Sequence, residues 1–137
     1  MKAGEKDIEI EMHEFDDMMV YHDPRWTAEA ILNVLDNAVK YSPEKTKIKI
    51  RAKRFVSYVL IEVEDEGIGI PKKDYSNIFK RFYRGSSREV EQSEGAGVGL
   101  YLVRQILEGQ GGSVCVDSAR KKGTVIRMML PADYICR

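Results

Sequence analysis

The twenty residues from Asp23 to Ser42 constrain this chain more than any others. They read as one long helix. Asp23 suits the N-cap, and Pro24 suits the first helical position, where its missing N–H costs nothing. Pro43 ends the helix by disfavouring helical geometry at Ser42. Ala30, Ile31, Val34, Leu35, Ala38 and Val39 form an apolar stripe at helical spacing, so one face must be buried. Asn33, Asn37 and Lys40 fall at i, i+4 and i+7 and share a different face. Two carboxamides and an ammonium in one row suit a metal ion and phosphate; the plainer alternative is a solvated helix face.

Around this helix the pattern changes to a period of two. Ile8 to Met12 alternates as a half-buried strand, and Met18 to Tyr21 is a second short apolar run. In the segment from Lys45 to Arg54, Lys47, Lys49, Arg51 and Lys53 alternate with Ile48, Ile50 and Ala52. That strict alternation marks the wet face of a sheet strand rather than a nucleic-acid patch. Tyr58 to Glu64 is its expected partner, with Val59, Ile61 and Val63 on one face and Glu62 and Glu64 placed to pair with the basic row. Lys72 to Phe82 carries Tyr75, Ile78, Phe79 and Phe82 at helical spacing, which predicts a short helix. Tyr83 to Gly97 is a long polar stretch of the kind that serves as a lid. A helix follows from the Gly95–Leu100 segment to about Gly109, with Leu100, Val103, Ile106 and Leu107 inward. Ser113 to Asp117 and Thr124 to Leu130 are the last strands, joined by a turn at Lys122-Gly123. The expected architecture is an α+β two-layer sandwich, with a mixed, mostly antiparallel sheet, helices on one face and the other face wet.

The 137 residues fit one domain, read as 7–137 after a linker at 1–6. Twenty-two basic residues balance 22 acidic ones, so no global field favours nucleic acid or a membrane surface. The sequence has no apolar run near ~18 residues and no signal-peptide pattern at its start. Cys115 and Cys136 lack metal-ligand spacing and suit a reducing compartment.

Two glycine-rich loops carry the chemistry. Asp65-Glu-Gly-Ile-Gly-Ile-Pro71 breaks a strand, and its glycines let the backbone bend and a ligand approach. Asp65 is an acceptor suited to an exocyclic amine such as that of adenine. The segment Gly95-Ala-Gly-Val-Gly-Leu100 opens a helix, where free N–H groups and the positive helix end make an anion site. Neither loop is a P-loop or a dinucleotide fingerprint, because the lysine spacing and the strand–loop–helix context are absent.

Together these segments resemble the sensor histidine kinases. Asn33-Val-Leu-Asp-Asn-Ala-Val-Lys-Tyr41 is similar to their N box, and Asp65-Glu-Gly-Ile-Gly-Ile70 to the G1 box. Ile78-Phe-Lys-Arg-Phe-Tyr-Arg84 is similar to the F box, and Gly95-Ala-Gly-Val-Gly-Leu100 to the G2 box. Gly123-Thr124 falls where the family has its last Gly-Thr. The resemblance covers about Asp23 to Pro131 and implies the Bergerat ATP-binding sandwich.

It also implies roles. Asn37 would be the Mg²⁺ ligand, Lys40 and Tyr41 phosphate and ribose contacts, and Asp65 the reader of the adenine amine, with Gly67 and Gly69 making room for the base. Tyr83 and Arg84 would stand at the lid entrance, Arg84 stabilising charge on the γ-phosphoryl. Gly97, Val98, Gly99 and Leu100 would cradle phosphates, and Thr124 would line the same pocket. Ile70, Phe79 and Phe82 read equally as core or as ligand contacts. Related ATPases of this fold place a Glu one turn before the metal-binding Asn. Asn33 stands in that catalytic position here and cannot act as a general base. That favours phosphoryl transfer to a protein over the alternative of an ATP hydrolase or ATP-dependent switch.

The resemblance further implies ATP and Mg²⁺ as cofactors, and a dimerisation domain bearing the phosphoacceptor histidine and a response regulator as partners. It implies a cytoplasmic position within a membrane-anchored parent, without nucleic-acid or membrane contact by this domain. The phosphoacceptor hairpin is expected to lie outside this sequence. His13-Glu14 is similar to the start of the acceptor motif, but it follows a strand pattern and lacks the motif's proline, Met18 standing in that place. The isolated domain is therefore expected not to label itself.

Overall fold

The computed structural model describes residues 7–15, 24–67, 69–70, 72–75, 77–80, 99–118 and 123–132. Five strands form one sheet in the order β1-β2-β3-β5-β4: β1 (Glu9–Phe15), β2 (Lys47–Arg54), β3 (Tyr58–Glu64), β4 (Ser113–Ser118) and β5 (Thr124–Pro131). β1 and β2 run parallel, and every other pairing is antiparallel. The expected mixed, mostly antiparallel sheet is thus present. Helix α1 (Pro24–Tyr41) crosses between the two parallel strands, as a parallel pair requires. Helix α2 (Gly99–Gly109) precedes the β4–β5 hairpin.

The alternation along each strand decides the layers. Ile48, Ile50, Val63, Ile126, Met128 and Leu130 point to one face and are buried. Against them lie Ala30, Val34, Leu35, Ala38 and Val39 of α1, with Val103, Ile106 and Leu107 of α2. Ile31 and Leu100, at the margins of the two stripes, are partly buried against this core. Fully burying aliphatic side chains of this size contributes about 1.5–3 kcal/mol each before chain entropy is charged against it. The helices are further joined at one end, where Gln110 Nε2 donates to the buried Thr27 Oγ1 at 3.2 Å.

Helix α2 stops in a Schellman motif. Gly112 N–H bonds to Leu107 O at 2.8 Å and Gly111 N–H to Glu108 O at 3.1 Å, with Gly111 in the left-handed region at φ 81°.

The opposite face of the sheet is wet and ionic. Lys47 pairs with Glu11 at 3.2 Å and Arg51 with Glu64 at 3.0 Å. Arg127 bridges Glu62 at 2.9 Å and Asp117 at 3.1 Å. The basic row of β2 is therefore the outer face of a strand. Glu64 pairs with that row as expected, whereas Glu62, directly across from Arg51 in register, turns to Arg127 on β5.

Two elements differ from the sequence reading by more than two residues. β1 extends to Phe15, past the expected Met12, because it continues along β2 with a register shift between His13 and Phe15. The segment from Lys72 is a 3-10 turn (Lys72–Asp74) followed by turns to Lys80, not one regular helix. Its bonds are mostly i to i+3: Tyr75 N–H to Lys72 O, Asn77 N–H to Asp74 O and Lys80 N–H to Asn77 O. Ile78 and Phe79 are buried in it nonetheless, so the apolar spacing marks the inward side without fixing the helix type. The expected strand at Met18 to Tyr21, the Asp23 cap and the polar stretch from Tyr83 lie outside the described residues.

Candidate functional site

The site is built at the end of β3. Asp65 follows the last strand residue and is nearly buried, with 9% of its surface exposed. Its Oδ1 accepts the N–H of Gly67 at 2.8 Å and the N–H of Thr124 at 3.3 Å. Oδ2 receives no hydrogen bond among the described residues. One oxygen is thus held by backbone, and the other has lone pairs that a ligand donor could use. Burial pushes the carboxyl up to about 6 from its usual 3.8. The two backbone donors oppose that rise, and the neighbouring Glu64 charge adds to it.

Glycines make this packing possible. A Cβ on Gly67 would lie 2.6 Å from the carbonyl oxygen of Tyr41, at the end of α1. A Cβ on Gly123 would collide with the backbone carbonyl of Asp65. The loop from Asp65 is therefore clamped between the C-terminus of α1 and the start of β5. Gly69, at φ 78°, takes a left-handed turn that L side chains resist.

Helix α1 carries the polar row past this loop. Lys40 is exposed, with its ammonium 6.0 Å from the centroid of the Tyr41 ring. Asn37 is half-buried, and its carboxamide makes no hydrogen bond among the described residues. Asn33 Nδ2 donates to Glu29 O at 2.9 Å. Its Oδ1 faces the first residue of α2, 3.9 Å from where a Gly99 Cβ would stand. The row thus runs from the N-terminus of α2, at Asn33, to the Asp65 loop, at Tyr41, a rise of about 12 Å along the helix. At the Asn33 end lies the partial positive charge of a helix start.

The structure brings Asn33 beside Gly99 at one end of the row, and Tyr41 beside Gly67, itself bonded with Thr124 to Asp65, at the other, with Asn37 and Lys40 on the intervening turns. Thr124 is buried and contributes its backbone on both sides of Asp65. Ile70 and Leu100 are partly buried against the core, and Phe79 is buried within it. Tyr83, Arg84, Gly97 and Val98 lie outside the described residues. Sequence reasoning assigns no role at the site to two further contributors. Gly123 reads as a turn and as the first half of the family's last Gly-Thr, with no contact of its own, although a glycine at a strand start also signals close backbone approach. Glu66 carries no signal: its carboxylate accepts the N–H of Lys47 at 2.9 Å, and no sequence pattern announces that bond.

Comparison with known proteins follows the same outline. Residues 22–134 match the model of the histidine kinase-, DNA gyrase B-, and HSP90-like ATPases. The sensor histidine kinase WalK of Bacillus subtilis is 37% identical over 117 residues, covering 84% of this chain and 19% of WalK. The chain thus spans under a fifth of that relative's length. Among solved structures, a mycobacterial sensor histidine kinase, MprB, superposes with a TM-score of 0.83 at 31% identity, covering 98% of this chain and 88% of the other. Full-length ShkA in complex with AMPPNP superposes at 0.78 with 26% identity, covering 97% of this chain and 27% of the other.

Proposed function

The chain belongs to the histidine kinase-, DNA gyrase B-, and HSP90-like ATPase family, as the catalytic ATP-binding domain of a sensor histidine kinase, and from that premise we propose how its residues handle Mg-ATP. The adenine amine donates to Oδ2 of Asp65, and the triphosphate lies along α1 toward the N-terminus of α2. The observation that carries this reading is the α1 row itself, which joins a buried, half-satisfied carboxylate to a helix start.

Asn37 suits a hard cation. Its carboxamide is half-exposed, engages no partner among the described residues and offers a neutral oxygen, the donor type magnesium accepts alongside water and phosphate oxygens. When bound, the ion supplies charge neutralisation at the phosphates. Lys40 and Tyr41 contact phosphate and ribose, and Gly97, Val98, Gly99 and Leu100 hold phosphate by backbone N–H. Arg84 stabilises charge on the transferring phosphoryl group. The acceptor is a histidine of a separate dimerisation domain: a ring nitrogen forms the new N–P bond as the bond to the β-phosphate oxygen breaks and ADP leaves. A response regulator then takes the phosphoryl group.

Hydrolysis is disfavoured by Asn33. Its amide nitrogen is committed to Glu29 O, and the oxygen facing α2 belongs to a carboxamide that cannot take a proton from water. His13 sits on β1, with Nε2 2.9 Å from Glu11 Oε1, as a surface strand residue rather than an acceptor on a helix.

The test is calorimetric titration of ATP with and without Mg²⁺, followed by incubation with γ-labelled ATP and the parent's helical hairpin. ATP binding and acid-labile label on the hairpin support the reading. Label on His13 of this chain, or rapid phosphate release without transfer, contradicts it.

A further inference from the structure

Glu66 is the residue of the Asp65–Gly67 loop whose side chain reaches the start of β2. Its Oε1 reaches 19 positions back along the chain to the N–H of Lys47, the first residue of β2. Lys47 follows the turn that ends α1. That turn is itself fixed by the bond from Thr46 Oγ1 to Pro43 O at 2.9 Å, with Lys45 at φ 62°.

The loop is therefore held at three places. Behind it, Gly123 and Thr124 press on Asp65. Beside it, the Tyr41 carbonyl presses on Gly67. The third hold is the Glu66–Lys47 bond. Apart from the Asp65 side chain itself, the first two rest on backbone that substitution disturbs only by adding atoms. The third can be removed without adding any.

We propose that Glu66 is a positioning residue for base recognition: by tying the loop to the first amide of β2, it keeps the Gly67 N–H on Asp65 Oδ1 and so keeps Oδ2 aimed at the adenine amine. The physical link is short. Glu66 is covalently between the carboxylate and the donor, and the Gly67 bond closes across only two residues. A loop released at Glu66 keeps its two backbone walls but loses the restraint on its rotation, and Gly67 N–H moves off line. A hydrogen bond weakens steeply as its angle falls. The carboxylate then has no preferred oxygen for the base.

This inference rests on the reading of Asp65 as the adenine acceptor. The test compares the parent chain with Glu66→Ala, Glu66→Gln and Asp65→Asn, measuring affinities for Mg-ATP and Mg-GTP and the amide resonance of Gly67. Glu66→Ala is expected to weaken ATP roughly three- to tenfold while leaving GTP within about twofold, a partial loss of one directed hydrogen bond. The Gly67 amide should shift, and Glu66→Gln, which keeps an acceptor oxygen, should restore both. Equal weakening of both nucleotides, or no change in either, overturns the positioning role while Asp65→Asn still abolishes the ATP preference. A parent with no ATP preference, unchanged by Asp65→Asn, removes the adenine reading and the inference with it.

Discussion

Asp65 and Thr124 are joined twice across 59 residues: Asp65 N–H donates to Thr124 O at 2.9 Å, and Thr124 N–H donates to Asp65 Oδ1 at 3.3 Å. The Asp65 carboxylate is thereby part of the β3–β5 ladder, and its ionisation is a property of the sheet as well as of its loop.

Stability should register that ionisation. Burial raises the Asp65 carboxyl to about 6, so between its usual 3.8 and that value the native chain holds a proton that the unfolded chain has released. The free domain is therefore favoured at low pH by this group and loses that contribution as pH rises to about 6, by at most about 3 kcal/mol, with no further change above. Asp65→Asn, whose carbonyl oxygen can still accept both amides, should lack this slope. Urea unfolding of both chains from pH 4 to 8 gives the difference curve. A difference that does not change across that window would sink the assignment.

The backbone collision at Gly123 predicts a sharp contrast between glycines. Gly123→Ala drives a methyl group into the Asp65 carbonyl and should cost about 2 kcal/mol or more, together with ATP affinity. At Gly109, the last residue of α2, an added methyl would meet nothing within 4 Å. Gly109→Ala should be neutral or stabilise by about 0.5 kcal/mol through helix propensity, leaving nucleotide binding alone. Thermal melts and ATP titrations of the two variants make the comparison.

Asn33→Glu installs a carboxylate beside the first residue of α2, at the position where a water-activating acid would act. General-base catalysis typically contributes about 10²–10⁴-fold, so phosphate release by the isolated chain should rise at least about tenfold. Unchanged release, in a variant that still binds ATP, would separate Asn33 from the reacting end of the nucleotide.

On the outer face, Arg127 holds both Glu62 and Asp117. Arg127→Met leaves the largely covered Glu62 carboxylate without that cation and should cost about 1–3 kcal/mol. The loss should shrink in high salt, and ATP affinity should stay unchanged because the proposed nucleotide site lies at the helix-covered side. Denaturation at two salt concentrations, with a titration at each, checks both parts.

Much of this is legible in the sequence because periodicity records burial. The stripe from Ala30 to Val39 and the alternation in β2 and β3 state which side faces the core, and the buried residues agree. Asp65 and Gly67 are legible through loop chemistry, and Thr124 only through the family resemblance. Periodicity does not name neighbours across a sheet. Nothing local to Glu62 distinguishes Arg51, opposite it on β2, from Arg127 on β5, and the choice is made by side-chain reach in three dimensions. The 72–80 segment shows a second limit. Apolar residues three and four apart satisfy a single inward side whether the backbone makes a regular helix or successive i to i+3 turns. Glu66 shows a third, since its partner is a backbone amide and carries no sequence signal at all.

The position of β5 between β3 and β4 has a consequence for how the chain matures. The strand that completes the ladder beside Asp65 is the last in chain order among the described strands, and its first amide is one of the two that hold the carboxylate. During synthesis the polar row of α1 and the Asp65 loop emerge long before that strand does, and long-range pairing of this kind is slow to form. A nascent chain halted before Gly123 carries both the helix row and the loop yet has no wall behind its carboxylate. If Asp65 reads adenine as proposed, that selection waits on β5, and a nucleotide held by Asp65 also reports that the β4–β5 hairpin has closed.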